Sequence, residues 1–101
     1  MPDPLYVMIH SPGPAWQPGV RFNEQPGVGV HVAFMRGMLA DGRLALGGPF
    51  LDDSGGMAIV RAASLEEARA WAESDDSVRG GLLRVEVRPW LAVMDSISAE
   101  A

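Results

Sequence analysis

A four-stranded antiparallel sheet with two helices packed on one face, in the order βαββαβ, is the fold that the sequence predicts. Three observations carry that prediction. Four strand-like apolar runs are interleaved with two segments of helical period that have recognisable start or stop signals. The turn Asp52-Asp53-Ser54-Gly55-Gly56, between the second and third runs, has hairpin chemistry. A chain of 101 residues, 48% apolar and 21% charged, is long enough for one domain with a modest core and too short for two.

Leu5 to His10 is a short apolar run bounded by prolines and reads as strand one. Residues 11–25 hold Pro12, Gly13, Pro14, Pro18 and Gly19, so they form a loop, long for a small domain, in which Trp16 and Phe22 need a surface to dock on. Pro26 suits the first turn of helix one and Gly42 its C-terminal cap. At about 100° per residue, Val28, Val32, Met35 and Leu39 form an apolar stripe, widened by Phe34 and Met38, with Arg36 facing away. Gly29 and Gly37 weaken this helix, which must therefore be held by packing.

Arg43 to Phe50 reads as strand two and Gly56 to Ala63 as strand three. Ser64-Leu65-Glu66-Glu67 is a capping box that opens helix two, which runs to about Ser74 and buries Leu65, Ala68 and Ala72. Leu82 to Val93 alternates as a last strand, with Arg84, Glu86 and Arg88 in a solvated or interface charge row and Trp90 following on the same face. No repeat or low-complexity tract interrupts residues 1–101, which read as a single domain. Two right-handed βαβ crossovers joined by a hairpin give the ferredoxin-like α+β arrangement. The sheet face without helices is left uncovered, and a homodimer is the expected way to cover it.

Eight basic and 13 acidic residues give a formal charge of −5, which repels phosphate backbones and argues against a nucleic-acid partner. With no cysteine, disulfides, thiolate metal sites and thiol nucleophiles are excluded. No basic-then-apolar leader is seen, since Met1-Pro2-Asp3-Pro4 leads into strand one, and no apolar run approaches membrane-spanning length. The expectation is a soluble cytoplasmic protein with no membrane partner.

The topology brings His10 at the end of strand one, His31 early in helix one and Asp75 after helix two to one end of the domain. The strand-two ending Gly47-Gly48-Pro49-Phe50 and the Trp16 loop belong to the same end. His31 falls inside the apolar arc of its helix. Asp75 continues the inner stripe of helix two at a C-terminus, where a carboxylate opposes the helix dipole by roughly 0.3–1 kcal/mol. An inward acid in such a place suggests a partner, and His31 is the nearest candidate. A carboxylate orients an imidazole and favours its charged form, whereas burial disfavours charge; such a pair serves as a general acid or base. An inward His and an inward Asp are also a common structural hydrogen-bonded pair, and the residues alone leave both readings open. Ser54 or Ser77 beside them would spell a triad, but no nucleophile elbow is present. His10, His31 and a carboxylate lack close metal-ligand spacing, the Asp52–Gly56 turn lacks that of a calcium loop, and the glycine pairs match no phosphate-binding fingerprint. Neither a metal nor a cofactor is expected.

His31-Val32-Ala33-Phe34-Met35 followed by Leu39-Ala40-Asp41-Gly42-Arg43-Leu44 resembles the YCII-related (YciI-like) pattern of a histidine opening helix one and a glycine before strand two. Gly47-Gly48-Pro49, Ser64-Leu65-Glu66-Glu67-Ala68, Ser74-Asp75 and Val85-Glu86-Val87-Arg88-Pro89-Trp90 resemble its later landmarks, in order and at the right spacing. Asp76 stands where that family has proline, which suggests a looser turn. The resemblance implies a dimeric α/β-barrel and an active site built on His31 and Asp75. It also implies, by analogy with a dehydrochlorinase relative and with lactone isomerases of the broader fold, a small cyclic or aromatic ligand. The expected function is proton-transfer chemistry, elimination or isomerisation, with His31 as acid/base and Asp75 orienting it. His10, Trp16, Gly48, Pro49 and Phe50 are the expected binding residues, with Trp16 as a lid. The alternatives are a non-catalytic ligand-binding or regulatory module using the same cleft and a purely structural dimer.

Overall fold

The computed structural model describes residues 3–97. Strands β1 (Leu5–Pro12), β2 (Leu44–Pro49), β3 (Gly56–Val60) and β4 (Leu83–Trp90) form one antiparallel sheet in the order β2-β3-β1-β4. Helix α1 (Val28–Ala40) joins β1 to β2, and α2 (Leu65–Glu73) with a further short helix α3 (Asp76–Arg79) joins β3 to β4. The βαββαβ order is therefore as the sequence predicts, with α3 added. No helix among the described residues is long and apolar enough to cross a membrane.

Alternation along β1 sorts the two sheet faces. Tyr6 and Met8 are buried, in register with Val60 and Ala58 of β3 and with Pro89 and Val87 of β4. With Leu44, Met38 of α1, and Ala68 and Ala72 of α2, they make the main core between sheet and helices. The opposite face carries Leu5, Val7, Ile9, Leu46, Met57 and Trp90, together with the charged row Arg84, Glu86 and Arg88. Ala45 falls between the paired residues Leu44 and Leu46 as a bulge, so these two leucines point to opposite faces.

Helix α2 begins as its capping box dictates: the Ser64 hydroxyl accepts from the Glu67 amide at 3.1 Å. The Glu67 carboxylate reaches one residue further back than expected, accepting from the Ala63 amide at 2.7 Å. Helix α1 departs more. Pro26 lies before it, Gly27 is its N-cap, and Asp41 caps its end with Gly42 following at φ 84°. Its inward side is Met38 with Phe34 and Met35, while Val32 and Leu39 are exposed at 41% and 57%. The stripe read from the sequence thus straddles the boundary between core and an open cleft.

The loop after β1 follows a defined path. Strand β1 runs to Pro12, two residues past the expected end. Gly13 then donates to the Leu82 carbonyl and Ala15 to the Gly81 carbonyl, both at 2.9 Å. A Cβ on Gly13 would lie 2.3 Å from the Gly81 oxygen, so only glycine allows this approach. Buried Gln25 staples the loop from inside. Its amide nitrogen donates to the carbonyls of Gln17 and Val20, and its oxygen accepts from the Gln17 amide, each at 2.8 Å.

Candidate active site

The segment after α2 is where the chain departs most usefully from expectation. Asp75 does not sit on a helix C-terminus. Ser74 caps α2, and Asp75 is the N-cap of α3, its carboxylate accepting from the Ser77 amide at 2.9 Å. A negative charge is favoured there rather than opposed. Asp76 occupies the first helical position, where proline is equally at home, so the turn is not loosened by its absence.

Asp75 is fully buried, and both of its oxygens are used. Oδ1 accepts from the Ser77 amide and, at 2.7 Å, from the Ser77 hydroxyl. Oδ2 meets Nδ1 of His31 at 2.6 Å. Burial alone would push the Asp75 carboxyl up; the hydrogen bonds from His31 and Ser77 more than offset it and hold it below the ordinary value. An ionised Asp75 accepts from His31, so Nδ1 carries the hydrogen. The other ring nitrogen, Nε2, then has no hydrogen-bond partner among the described residues.

His10 completes the cluster. It points to the helix side of β1 and is 2% exposed. Its ring lies edge-on to that of His31, with centroids 4.7 Å apart and planes at 63°. Burial, reinforced by the neighbouring His31 and only partly countered by Asp75, lowers its pKa from 6.5 to about 4, so it is neutral at pH 7. Its Nε2 is buried without a hydrogen-bond partner. Donor atoms of His10, His31 and Asp75 lie within 4.8 Å of one another, a set that could hold a transition metal. The 2.6 Å bond, however, commits His31 Nδ1 and Asp75 Oδ2 to each other.

His10 and His31 face a cleft of about 460 Å³ between α1 and the β2–β3 edge. One wall is Val28, Val32, Met35 and Leu39 of α1; the other includes Leu44, Gly48, Pro49 and Phe50. Gly48, Pro49 and Phe50 therefore stand where the sequence reading puts them. Trp16 does not. It lies outside the cleft lining, packed on Phe22 at 5.3 Å in a small apolar cluster with Leu82 and Leu83. The loop is held to the start of β4 through Gly13 and Ala15, which carries Trp16 behind the cleft and turns Phe22 into it. Phe22 lies nearly parallel to the His31 ring at 6.3 Å, and its amide donates to Asp53 Oδ1 at 3.1 Å. Asp53 also pairs with Arg21 at 3.4 Å, joining loop and hairpin at the mouth.

Two residues take a part that the sequence reading did not give them. Ser77, weighed there only as a triad nucleophile, fixes Asp75, and the signal for that role was an Asp-Asp-Ser step that could cap a short helix. Phe22 was visible only as one of two aromatics in the same loop. Ser77 is buried behind Asp75 and Ser54 bonds Asp52 in the hairpin turn, so neither sits as a nucleophile beside His31.

The domain with this order of elements is a YCII-related domain. The sequence matches that family over residues 5–91, and the chain belongs to it. It is 34% identical over 70 residues to the uncharacterized protein YjpA of Bacillus subtilis strain 168, which spans 69% of this chain and 81% of that protein. Its fold is similar to that of the 5-chloro-2-hydroxyhydroquinone dehydrochlorinase TftG of Burkholderia phenoliruptrix AC1100, solved with 2,5-dihydroxybenzoquinone. The TM-score is 0.64 at 24% identity, covering 86% of this chain and 93% of that one.

Proposed function

We propose that this protein is a small-molecule enzyme that moves a proton on a small cyclic or aromatic substrate, in an elimination or an isomerisation. The observation that carries the reading is the 2.6 Å bond from buried Asp75 to His31 Nδ1, which leaves Nε2 as the uncommitted nitrogen of a cleft-lining imidazole. Asp75 fixes the tautomer, so neutral His31 presents a lone pair at Nε2 and stabilises the positive charge it gains on taking a proton. In an elimination the substrate then expels an anionic leaving group. In an isomerisation His31 returns the proton to a different substrate atom. Neutral His10 packs edge-on against the His31 ring at the cleft floor and holds that ring in place without adding a charge beside it. Phe22, Pro49 and Phe50 give apolar surface to a flat ring. We place this chemistry in a homodimer, supported by the apolar sheet face that carries no helix, and we assign it to the cytoplasm.

The solved relative supplies the test compounds. Chloride release from 5-chloro-2-hydroxyhydroquinone, and binding of 2,5-dihydroxybenzoquinone by titration calorimetry, should be measured on wild type, His31→Ala and Asp75→Asn. Turnover that falls by about 10²–10⁴ in His31→Ala supports acid–base catalysis. Binding without turnover in wild type would make the protein a ligand-binding module. Neither binding nor turnover would remove this ring class.

A further inference from the structure

The cleft has a polarity that the His–Asp pair does not explain. On α1, residues 28, 31, 32, 35, 36 and 39 all line it, so Arg36, though turned from the core, reaches the cleft rim from the exposed side of the helix. The cleft's other guanidinium, Arg21, is paired with Asp53. Arg36 has no ion pair or hydrogen bond to any described residue. With Arg21 and Asp53 offsetting each other, and with the negative charge of Asp75 buried behind His31, the unpaired charge among the cleft-lining side chains is that of Arg36. This holds in a chain whose formal charge is −5. Around it the wall is apolar: Val32, Met35 and Leu39 on its own helix.

We propose that the substrate is a carboxylate, its ring seated against His31 and its carboxyl group held at the cleft mouth by Arg36. This rests on the small-ring reading above and specifies it. A single free guanidinium offers two parallel N–H donors, which match a carboxylate; a phosphoryl group would bring a second negative charge, for which the cleft lining has no further unpaired cation. Arg36 and His31 stand five helical positions apart, a rise of about 7.5 Å and about 140° around the axis, so they bound the cleft from opposite edges of the helix face. An anion held by the long Arg36 side chain therefore lies across the cleft from the reacting atom at His31, with the ring between them.

The test compares 2,5-dihydroxybenzoate with its neutral amide, 2,5-dihydroxybenzamide, by calorimetry or by NMR line shifts. The proteins are wild type, Arg36→Met and, as a control on the exposed side of α2 outside the cleft, Arg69→Met. Arg36 is exposed and methionine keeps its apolar stem, so the variant should melt with wild type. The expected result is at least tenfold tighter binding of the benzoate by wild type, lost in Arg36→Met, retained in Arg69→Met and reduced by salt. Binding of the benzamide should be the same in all three proteins. Equal affinity for both probes in wild type, or equal loss in the two arginine variants, overturns the carboxylate assignment and leaves the small-ring function standing. If neither probe binds, the small-ring reading fails and the carboxylate assignment fails with it.

Discussion

At the scale of single residues, His10 is the group with the clearest physical consequence. In the unfolded chain it takes a proton near pH 6.5, but in the folded protein only near 4, because burial and the neighbouring His31 both disfavour its charge. Between those values the unfolded state binds more protons, so stability must fall as the pH drops through that window. At about 1.4 kcal/mol per pH unit, the loss by pH 4 is on the order of 3 kcal/mol. Asp75 acts lower. Its carboxyl is held below the ordinary 3.8, so its contribution is intact throughout that window and is lost only as the pH falls further. Urea unfolding of wild type between pH 7 and 4 should show the decline, and His10→Asn should flatten it. A slope unchanged in the variant would mean that His10 is not the group held neutral. The identity of this histidine as a floor residue was legible from its place at the end of an apolar strand. Its lack of a partner was not, because that depends on side chains 21 and more positions away.

At the scale of elements, what the sequence revealed follows from periodicity and what it hid lacks a period. Strand alternation and the Ser64 box placed four strands and α2 within a few residues. A helical wheel placed His31, Phe34 and Met38 inward and Arg36 outward, but an angle alone cannot say that a cleft opens beside α1 and that exposed Arg36 stands on its rim. Helix α3 is four residues long, too short for any period. The choice between Trp16 and Phe22 rested on a loop path set by one close backbone approach at Gly13 and by the amide of Gln25. The hairpin makes a comparable approach. Gly55 has φ 136°, and a Cβ there would lie 1.9 Å from the His10 carbonyl oxygen. Gly55→Ala should therefore cost more than about 2 kcal/mol and displace His10 from the cleft floor. Denaturant melts give the first and the histidine NMR resonances the second. A variant as stable as wild type would mean that the hairpin moves freely relative to β1.

At the scale of the whole molecule, the helix-free sheet face is the surface on which the expected homodimer can be tested. Leu5, Val7, Ile9, Leu46, Met57 and Trp90 share it, with Leu46, Met57 and Trp90 each more than 40% exposed. Such a face in a single chain leaves a large apolar area in water, and a second copy related by a twofold axis would cover it with the same residues. A stable pairing should bury on the order of 800 Å² or more per subunit. The row Arg84, Glu86 and Arg88 limits how the copies meet, because like charges placed opposite each other oppose association while Glu86 can face either arginine. Light scattering at micromolar concentration should give twice the chain mass of 10.8 kDa. Val7→Glu, which puts a charge in the middle of that face, should give a monomer that still folds. Val30→Glu, on an exposed position of α1, should remain a dimer. A wild-type monomer would show that this face tolerates water. A dimer that survives Val7→Glu would place the interface elsewhere, and the cleft between α1 and β2 would then be the surface to examine for the second subunit.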